Sequence, residues 1–268
     1  MSIFDSIKTD NVYKIFINGQ WIESSNKETF EIKSPIDDSL IAKVQKATKK
    51  DAEDAVQTAF NSKPKIANMP ASERAEILKK AANLLEQNKQ EFIDIICKES
   101  GKTKSLANGE VHASIERLHL ASDEAEELTG EIIKGDAISK DKAMALVIRQ
   151  PLGVILAITP FNYPLFTAIS KIAPAIAAGN SLVVKPASAD PICLLMFGKI
   201  MQEAGIPDGV INIITGSGSE IGDYLNSHPK INMISFTGSS AAGKHVASVA
   251  GMKKLHLELG GKAPAIVL

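Results

Sequence analysis

The sequence predicts an α/β fold, a parallel sheet flanked by helices with a region of short antiparallel strands ahead of it. Two observations carry this. From about residue 145 onward, short β-rich runs alternate with helical stretches, as in a sheet whose strands are joined by crossover helices. Before residue 48, by contrast, "YKIFINGQWIESSNKETFEIKSPIDDSLIAKVQKAT" alternates in polarity and is broken by the turn pairs Asn18-Gly19 and Asp37-Asp38. With 268 residues, 44% hydrophobic and 23% charged, the chain can bury one large core or two modest ones.

Helices follow the first strands. Thr48 with Asp51 reads as an N-cap and N3 acid ahead of "AEDAVQTAF". "SERAEILKKAANLLEQNKQEFIDIICKESG" carries apolar residues three and four apart and stops at Gly101. A third long helix, "SLANGEVHASIERLHLASDEAEELTG", runs to near Gly130. The strands of the main sheet are then "GVILAIT", "SLVVK", "VINIITG", "NMISFTG" and "KLHLEL". Between them lie the helical stretches "LFTAISKIAPAIAAG", "PICLLMFGKIMQEAG", "SEIGDYLNSH" and "SAAGKHVASVAG".

Composition excludes several function classes. The net charge of −1, from 30 basic and 31 acidic residues, gives no footprint for nucleic acid or a membrane surface. The best apolar runs are broken by Pro or Gly, too short to span a bilayer. The start "MSIFDSIKTDN" lacks the apolar core of a signal peptide. Two cysteines make no disulfide framework, so the expectation is a cytoplasmic protein. No Cys/His cluster has metal-ligand spacing, and no metal is expected. Cys97 in "EFIDIICKES" and Cys193 in "PICLLMFG" lie on apolar helical stretches and read as core residues.

In a parallel sheet, ligands sit at the carboxyl ends of the strands. Attention therefore falls on 159–162, 185–188, 216–219, 237–239 and 258–261. "TGSGSEIG" bridges a strand to a helix, and Gly216, Gly218 and Gly222 let backbone N–H groups approach a phosphate; a tight turn explains such glycines equally well. "FTGSSAAG" is a second such loop one strand later, and the pair favours a nucleotide pyrophosphate. Lys185 ends a buried-looking strand, placed to meet a ribose hydroxyl or phosphate, or simply solvated. Asn162 in "ITPFNYP" has an amide able to donate to a substrate oxyanion or to close a local turn. Glu258, at the end of "LHLELGGKAPAIVL", is an acid among apolar neighbours. That setting raises its pKa and suits it to act as a base, unless it merely caps the next loop. His256, on the same strand face, reads as a packing or hydrogen-bonding residue.

Taken in order, "ITPFNYP", "AAGNSLVVKPAS", "AGIPDGVINIITGSGSEIG", "SFTGSSAAG" and "LELGGKAP" resemble the aldehyde dehydrogenase superfamily, from "FINGQWIES" to the last residue. "GKTKSLANGEV", "PFNYP" and "NMISFTGSS" are most similar to the branch with succinate-semialdehyde, lactaldehyde and non-phosphorylating glyceraldehyde-3-phosphate dehydrogenases. The resemblance implies a Rossmann-like coenzyme domain and NADP or NAD as cofactor. It implies a β-arm for a homo-oligomer, dimer or tetramer when the enzyme is full-length. Residue by residue, it makes Asn162 the oxyanion donor and Glu258 the base that activates water. Lys185 and Ser188 fall at the adenosine ribose, and Gly218 and Gly222 beside the adenine. Thr159, Pro160 and Phe161 fall on the coenzyme side of the loop holding Asn162. Thr237, Gly238 and Ser239 fall at the pyrophosphate and nicotinamide, and the Leu259 backbone at the nicotinamide end.

The resemblance further divides the chain. Residues 1–133 are the first part of the cofactor-binding domain, 134–151 the oligomerisation arm, 152–262 the cofactor-binding domain continued and 263–268 the start of a catalytic domain, whose first strand would be "APAIVL". Two departures shape the expectation. NAD-preferring members carry an acid three residues after the lysine; here Ser188 stands there. An acid would repel a 2′-phosphate, whereas Ser can donate to it and leaves Lys185 free to pair with it, so NADP preference or dual use is expected. The nucleophilic Cys of the family lies beyond the glutamate motif and is absent. The chain is therefore expected to be a coenzyme-binding portion without most of the catalytic domain, inactive alone. Succinate semialdehyde is the favoured small-molecule substrate, because "SDEAEELTGE" is acidic where a phosphorylated triose would want basic residues. A purely nucleotide-binding module is the alternative from another class.

Overall fold

The computed structural model describes residues 2–135 and 144–267. After a 3-10 turn, Ile3–Ile7, come strands β1 (Lys8–Thr9), β2 (Val12–Tyr13), β3 (Ile15–Ile17), β4 (Gln20–Ile22), β5 (Thr29–Lys33) and β6 (Leu40–Gln45). Four helices follow: α1 (Lys49–Ala67), α2 (Ala71–Gln87), α3 (Lys89–Ser100) and α4 (Lys104–Glu127). A hairpin of β7 (Glu131–Lys134) and β8 (Met144–Val147) leads to the alternating part. There β9 (Val154–Ile158), α5 (Pro164–Ala177), β10 (Ser181–Lys185), α6 (Ile192–Glu203) and β11 (Ile211–Ile213) are followed by a π-helical turn, Gly218–Gly222. Then come α7 (Asp223–Ser227), β12 (Met233–Thr237), α8 (Ser240–Val249) and β13 (Lys254–Glu258).

The main sheet has seven strands in the order β13-β12-β9-β10-β11-β3-β4. The five from β9 to β13 run parallel, as predicted, and β3 adds antiparallel to β11 through Ile213 and Phe16. Strand alternation sorts the side chains onto two faces. Ile155, Ala157, Leu182 and Val184 pack into the core shared with α2 to α6. Val154, Leu156, Val183 and Ile234 pack into the core shared with α1, α7 and α8. Helices thus cover both faces, which is why β9 and β10 read as unbroken apolar runs.

Local chemistry explains the helix ends. Thr48 and Asp51 form the predicted reciprocal capping box at the start of α1. Gly101 ends α3 in a left-handed conformation at φ 71°, open to glycine without strain. Two buried glutamates from distant helices hold the starts of α5 and α6. Glu110 accepts from Leu165 N at 2.9 Å and Phe166 N at 3.2 Å and pairs with Lys102. Glu99 accepts from Ile192 N at 2.8 Å and Cys193 N at 2.9 Å; burial pushes its carboxyl up to about 8 although both N–H groups pull it down.

Several expectations are corrected. The long second helix is two helices, α2 and α3, because the Asn88 side chain donates to Leu84 O at 2.7 Å and draws the backbone out of the helical path. The early strands are not all antiparallel: β6 pairs antiparallel with its hairpin partner β5 on one side and parallel with β2 on the other. The stretch after β11 is a π turn followed by the five-residue α7 rather than one helix. Residues 263–267 of "APAIVL" form no strand and lie exposed, with no neighbouring strand among the described residues to pair them. Of the expected arm, residues 136–143 lie outside the described residues. Among the described residues no helix is long and apolar enough to cross a membrane, and no group of three or more His, Cys, Asp or Glu is placed to hold a metal ion.

Candidate functional site

The strand order changes direction between β9 and β12. From β9 the chain steps outward through β10 to β11, then returns to build β12 and β13 on the other side of β9. The loops leaving β9 and β12 diverge, opening a crevice at the carboxyl edge where ligands of such sheets bind. A cavity of about 320 Å3 occupies that place. Ile158 from β9, Phe236 from β12, and Ala242 and Val246 from α8 give it apolar walls, and Gly218 and Gly222 form the facing wall.

Gly218 and Gly222 explain themselves by what surrounds them. Neither has a positive φ, and a Cβ on either would meet no atom within 4 Å. The fold therefore does not require glycine there, and the open space beside them is ligand-sized. This separates the two explanations that the sequence left open: a tight turn would need the special backbone, and close approach of a ligand would need the missing side chain.

Lys185 enters the same cavity from the end of β10, with 6% of its surface exposed. Among the described residues its Nζ donates only to its neighbour Pro186 O, at 3.3 Å, and burial pulls the ammonium down to about 8. A buried, underpartnered cation is suited to an anion or ribose hydroxyls. Ser188 differs from its expected pose. Its hydroxyl donates to Gly216 O at 2.9 Å, so donation to a phosphate requires the hydroxyl to rotate off the glycine-rich loop. No carboxylate stands at this position to repel a phosphate.

The other expected residues line up along the same edge but outside the cavity. The Thr159 amide donates to Lys185 O at 3.3 Å, joining the ends of β9 and β10, and its buried hydroxyl has no partner among the described residues. Thr237 lies in register with Glu258, and the Gly238 amide donates to Glu258 O at 3.1 Å. Ser239 caps α8 by accepting from Ala242 N. Leu259 packs onto Gly243, where an added Cβ would lie 2.2 Å from it. Pro160 is half-buried, whereas Phe161 and Asn162 stand exposed at the start of α5, away from the cavity.

Glu258 departs from expectation. The carboxylate side chain is 66% exposed and touches His256 Nε2 at 3.5 Å. The apolar residues beside it in sequence point to the opposite face, and β13 is the sheet edge, with no strand beyond to enclose it. Behind it lies a residue that the sequence reading missed. Lys171 of α5 donates to Thr237 Oγ1 at 2.8 Å and Ser235 Oγ at 3.2 Å, and Ser235 in turn bonds His256 Nδ1 at 3.3 Å. Burial pulls Lys171 down to about 8, and the Glu258 charge pushes the other way. Its signal was a lone charge within the apolar "TAISKIAP". Glu110, which fixes the first turn of α5 directly after Asn162, left no sequence signal, since it acts across 55 residues.

Neither thiol belongs to this edge. Cys193 is fully buried in the core of α6, and burial pushes its thiol up; burial also raises Cys97, within α3.

A doubly wound sheet with a glycine-walled cleft and a buried lysine at its switch point defines a nucleotide-binding α/β domain of the Rossmann-like kind. The profile of the aldehyde dehydrogenase family matches residues 21–268, and the chain belongs to that family. It is 38% identical over 256 residues to D-glyceraldehyde dehydrogenase (NADP(+)) of Picrophilus torridus, covering 95% of this chain and 51% of the relative. It is 39% identical over 258 residues to alpha-ketoglutarate semialdehyde dehydrogenase of Haloferax volcanii, covering 95% and 53%. The NADP-dependent glyceraldehyde-3-phosphate dehydrogenase of Bacillus halodurans, solved with NADP, superposes with a TM-score of 0.91 at 40% identity, over 95% of this chain and 54% of that one. The chain thus spans about half the length of the relatives it matches.

Proposed function

We propose that this chain is the coenzyme-binding portion of an NADP-preferring aldehyde dehydrogenase, which oxidises a short polar aldehyde to its carboxylic acid. The observation that carries the reading is the cleft at the switch point, with a buried, underpartnered Lys185 and two glycines that the fold itself does not need. NAD or NADP fits this cleft, and when bound it supplies the hydride acceptor. Lys185 would hold the adenosine ribose and its 2′-phosphate, and Gly218 and Gly222 would let the base lie against the backbone. The absence of a carboxylate at Ser188 favours NADP over NAD.

On the substrate side, the Asn162 amide would donate to the oxyanion formed when a thiolate attacks the aldehyde carbonyl. Glu258 would take a proton from water as the acid is released. The thiol would come from the part of the relatives' length that this chain does not span, since Cys193 is buried in the core and Cys97, half-buried against it, lies in α3 away from this edge. Succinate semialdehyde and D-glyceraldehyde are the substrates to separate: the relatives named above include a semialdehyde and a glyceraldehyde enzyme. A panel of both with NADP and NAD, on the enzyme carrying this chain together with its thiol, separates them.

The exposed apolar hairpin of β7 and β8, with Ile132, Met144 and Leu146 all about 70% exposed, supports an arm that pairs with another subunit in a homo-oligomer. Residues 1–133 and 152–262 would form the coenzyme domain, 134–151 the arm and 263–268 the start of the next domain. Two unpaired cysteines fit a cytoplasmic setting. Calorimetric titration of the 268 residues tests the reading: saturable NADP binding, tighter than NAD, is expected, with no aldehyde oxidation by the chain alone. Aldehyde oxidation by these residues would overturn it.

A further inference from the structure

Helix α5 begins without a cap of its own. Tyr163 stands at the N-cap position, and no side-chain hydrogen bond caps the helix from there. Pro164 has no N–H, so the first donors of the helix are the amides of Leu165 and Phe166. Both are taken by one carboxylate oxygen of Glu110, which reaches over from α4 and is 2% exposed. The other oxygen pairs with Lys102, whose ammonium lies over the Tyr163 ring at 3.5 Å. Other helices of this chain cap themselves: Thr48, Thr103 and Ser239 each accept from the amide three residues on. In α5 the residue three before Leu165 is Asn162, one of the strongest capping residue types. Yet Asn162 stands exposed, and among the described residues its side chain makes no hydrogen bond.

We propose that Glu110 is a positioning residue for Asn162: by capping α5 from α4, it keeps the Asn162 amide out of the helix start and free for a ligand. An Asn side chain beside open helix amides ordinarily bends back to accept from them. Its carbonyl oxygen would then be held by the Leu165 N–H, and its N–H2 would turn with it, away from any substrate. A carboxylate outcompetes a neutral amide for those donors, because the bond is charge-assisted and the helix N-terminus is partially positive. The catalytic use of the freed amide rests on the proposed function, in which Asn162 donates to the oxyanion; the cap itself does not.

Melting temperatures of the 268-residue chain test the cap. Asn162→Ala should leave that of the natural chain unchanged. In Glu110→Leu, where Asn162 takes over the Leu165 amide, adding Asn162→Ala should lower it by a further ~2–4 °C, the worth of one N-cap. In Glu110→Gln, whose side-chain oxygen still accepts from both amides, Asn162→Ala should again change nothing. An Asn162→Ala effect as large in the natural chain as in Glu110→Leu, or absent from both, would overturn the assignment. Should Glu110→Leu fail to fold, hydrogen exchange decides: the Leu165 amide should be equally protected in the natural chain and in Asn162→Ala, and lost protection in Asn162→Ala would overturn it. In the enzyme carrying this chain together with its thiol, Asn162→Ala should lower kcat about 100- to 1000-fold. Glu110→Leu should lower kcat with little change in KM, and the double variant should be no slower than Asn162→Ala alone. Additive losses would make Glu110 a structural residue and overturn the positioning role. Intact kcat in Asn162→Ala would instead remove the oxyanion reading, and the melting temperatures would still decide the cap.

Discussion

Two stretches of the same sheet edge differ in how finished they are. At the ends of β9, β10 and β12, the groups assigned to the coenzyme are enclosed: Lys185 is buried, and Ile158, Phe236 and two open glycines shape a slot. Around β13 and the start of α5, the groups assigned to the chemistry stand in the open. Glu258 is 66% exposed, Asn162 is exposed, and Leu259 and Ile266 present apolar surface to solvent. Binding needs a preformed cavity, and this chain builds it from its own strands. Catalysis needs water excluded and groups held in register, and here both Glu258 and Asn162 face solvent. Under the proposed function, nucleotide binding by the enclosed region does not depend on the exposed one.

The comparison breaks first at Lys185. Lys185→Met should weaken NADP binding by roughly 1.5–3 kcal/mol, the scale of a hydrogen bond to a charged group, and NAD binding by less; calorimetry with both coenzymes reads this. Next comes the glycine wall. Gly222→Ala places a methyl in the slot and should cost roughly 1–3 kcal/mol of NADP affinity, as overpacking does. Gly222 has helical angles and its Cβ meets nothing, so the melting temperature should hold or rise. A binding loss without a stability loss is the signature of a glycine kept for a ligand, and equal losses would make it a structural glycine.

A smaller effect comes from pH. Burial holds the Lys185 ammonium near 8, below its ordinary value. Its charge is therefore present below that pH and lost above it, so NADP affinity should fall as pH rises through about 8. The slope can reach about tenfold per pH unit if the charge is essential, and NAD should follow a flatter curve. A flat NADP profile from pH 7 to 9 would show that the phosphate does not depend on this cation. The smallest effect belongs to the open region. Glu258→Gln should leave both the melting temperature and NADP affinity of this chain unchanged, because the side chain is exposed and outside the cleft. A marked loss of either would mean that the two regions are not separable.

Much of the binding region was legible in the sequence, because its signals are local. The apolar runs of β9 and β10, the Thr48–Asp51 box and the two glycine-rich loops each specify structure over a few residues. What escaped depends on contacts between distant segments. Glu99 and Glu110 hold helix starts 93 and 55 residues away. Lys171 is tied to β12 rather than to its own helix, and the parallel pairing of β2 with β6 follows from sheet order. The setting of Glu258 differs from the one its apolar sequence neighbours predict, because on an edge strand those neighbours face the other way. The strand expected in "APAIVL" needs a partner that the described residues do not provide.

We propose that Lys185, Gly218 and Gly222 form a cleft that takes NADP in preference to NAD without help from the exposed Glu258 and Asn162. Titration of the 268-residue chain with NADP and NAD under one set of conditions decides this. Saturable binding of both, with NADP tighter, is the predicted result. Tighter binding of NAD, or no binding of either, would contradict it.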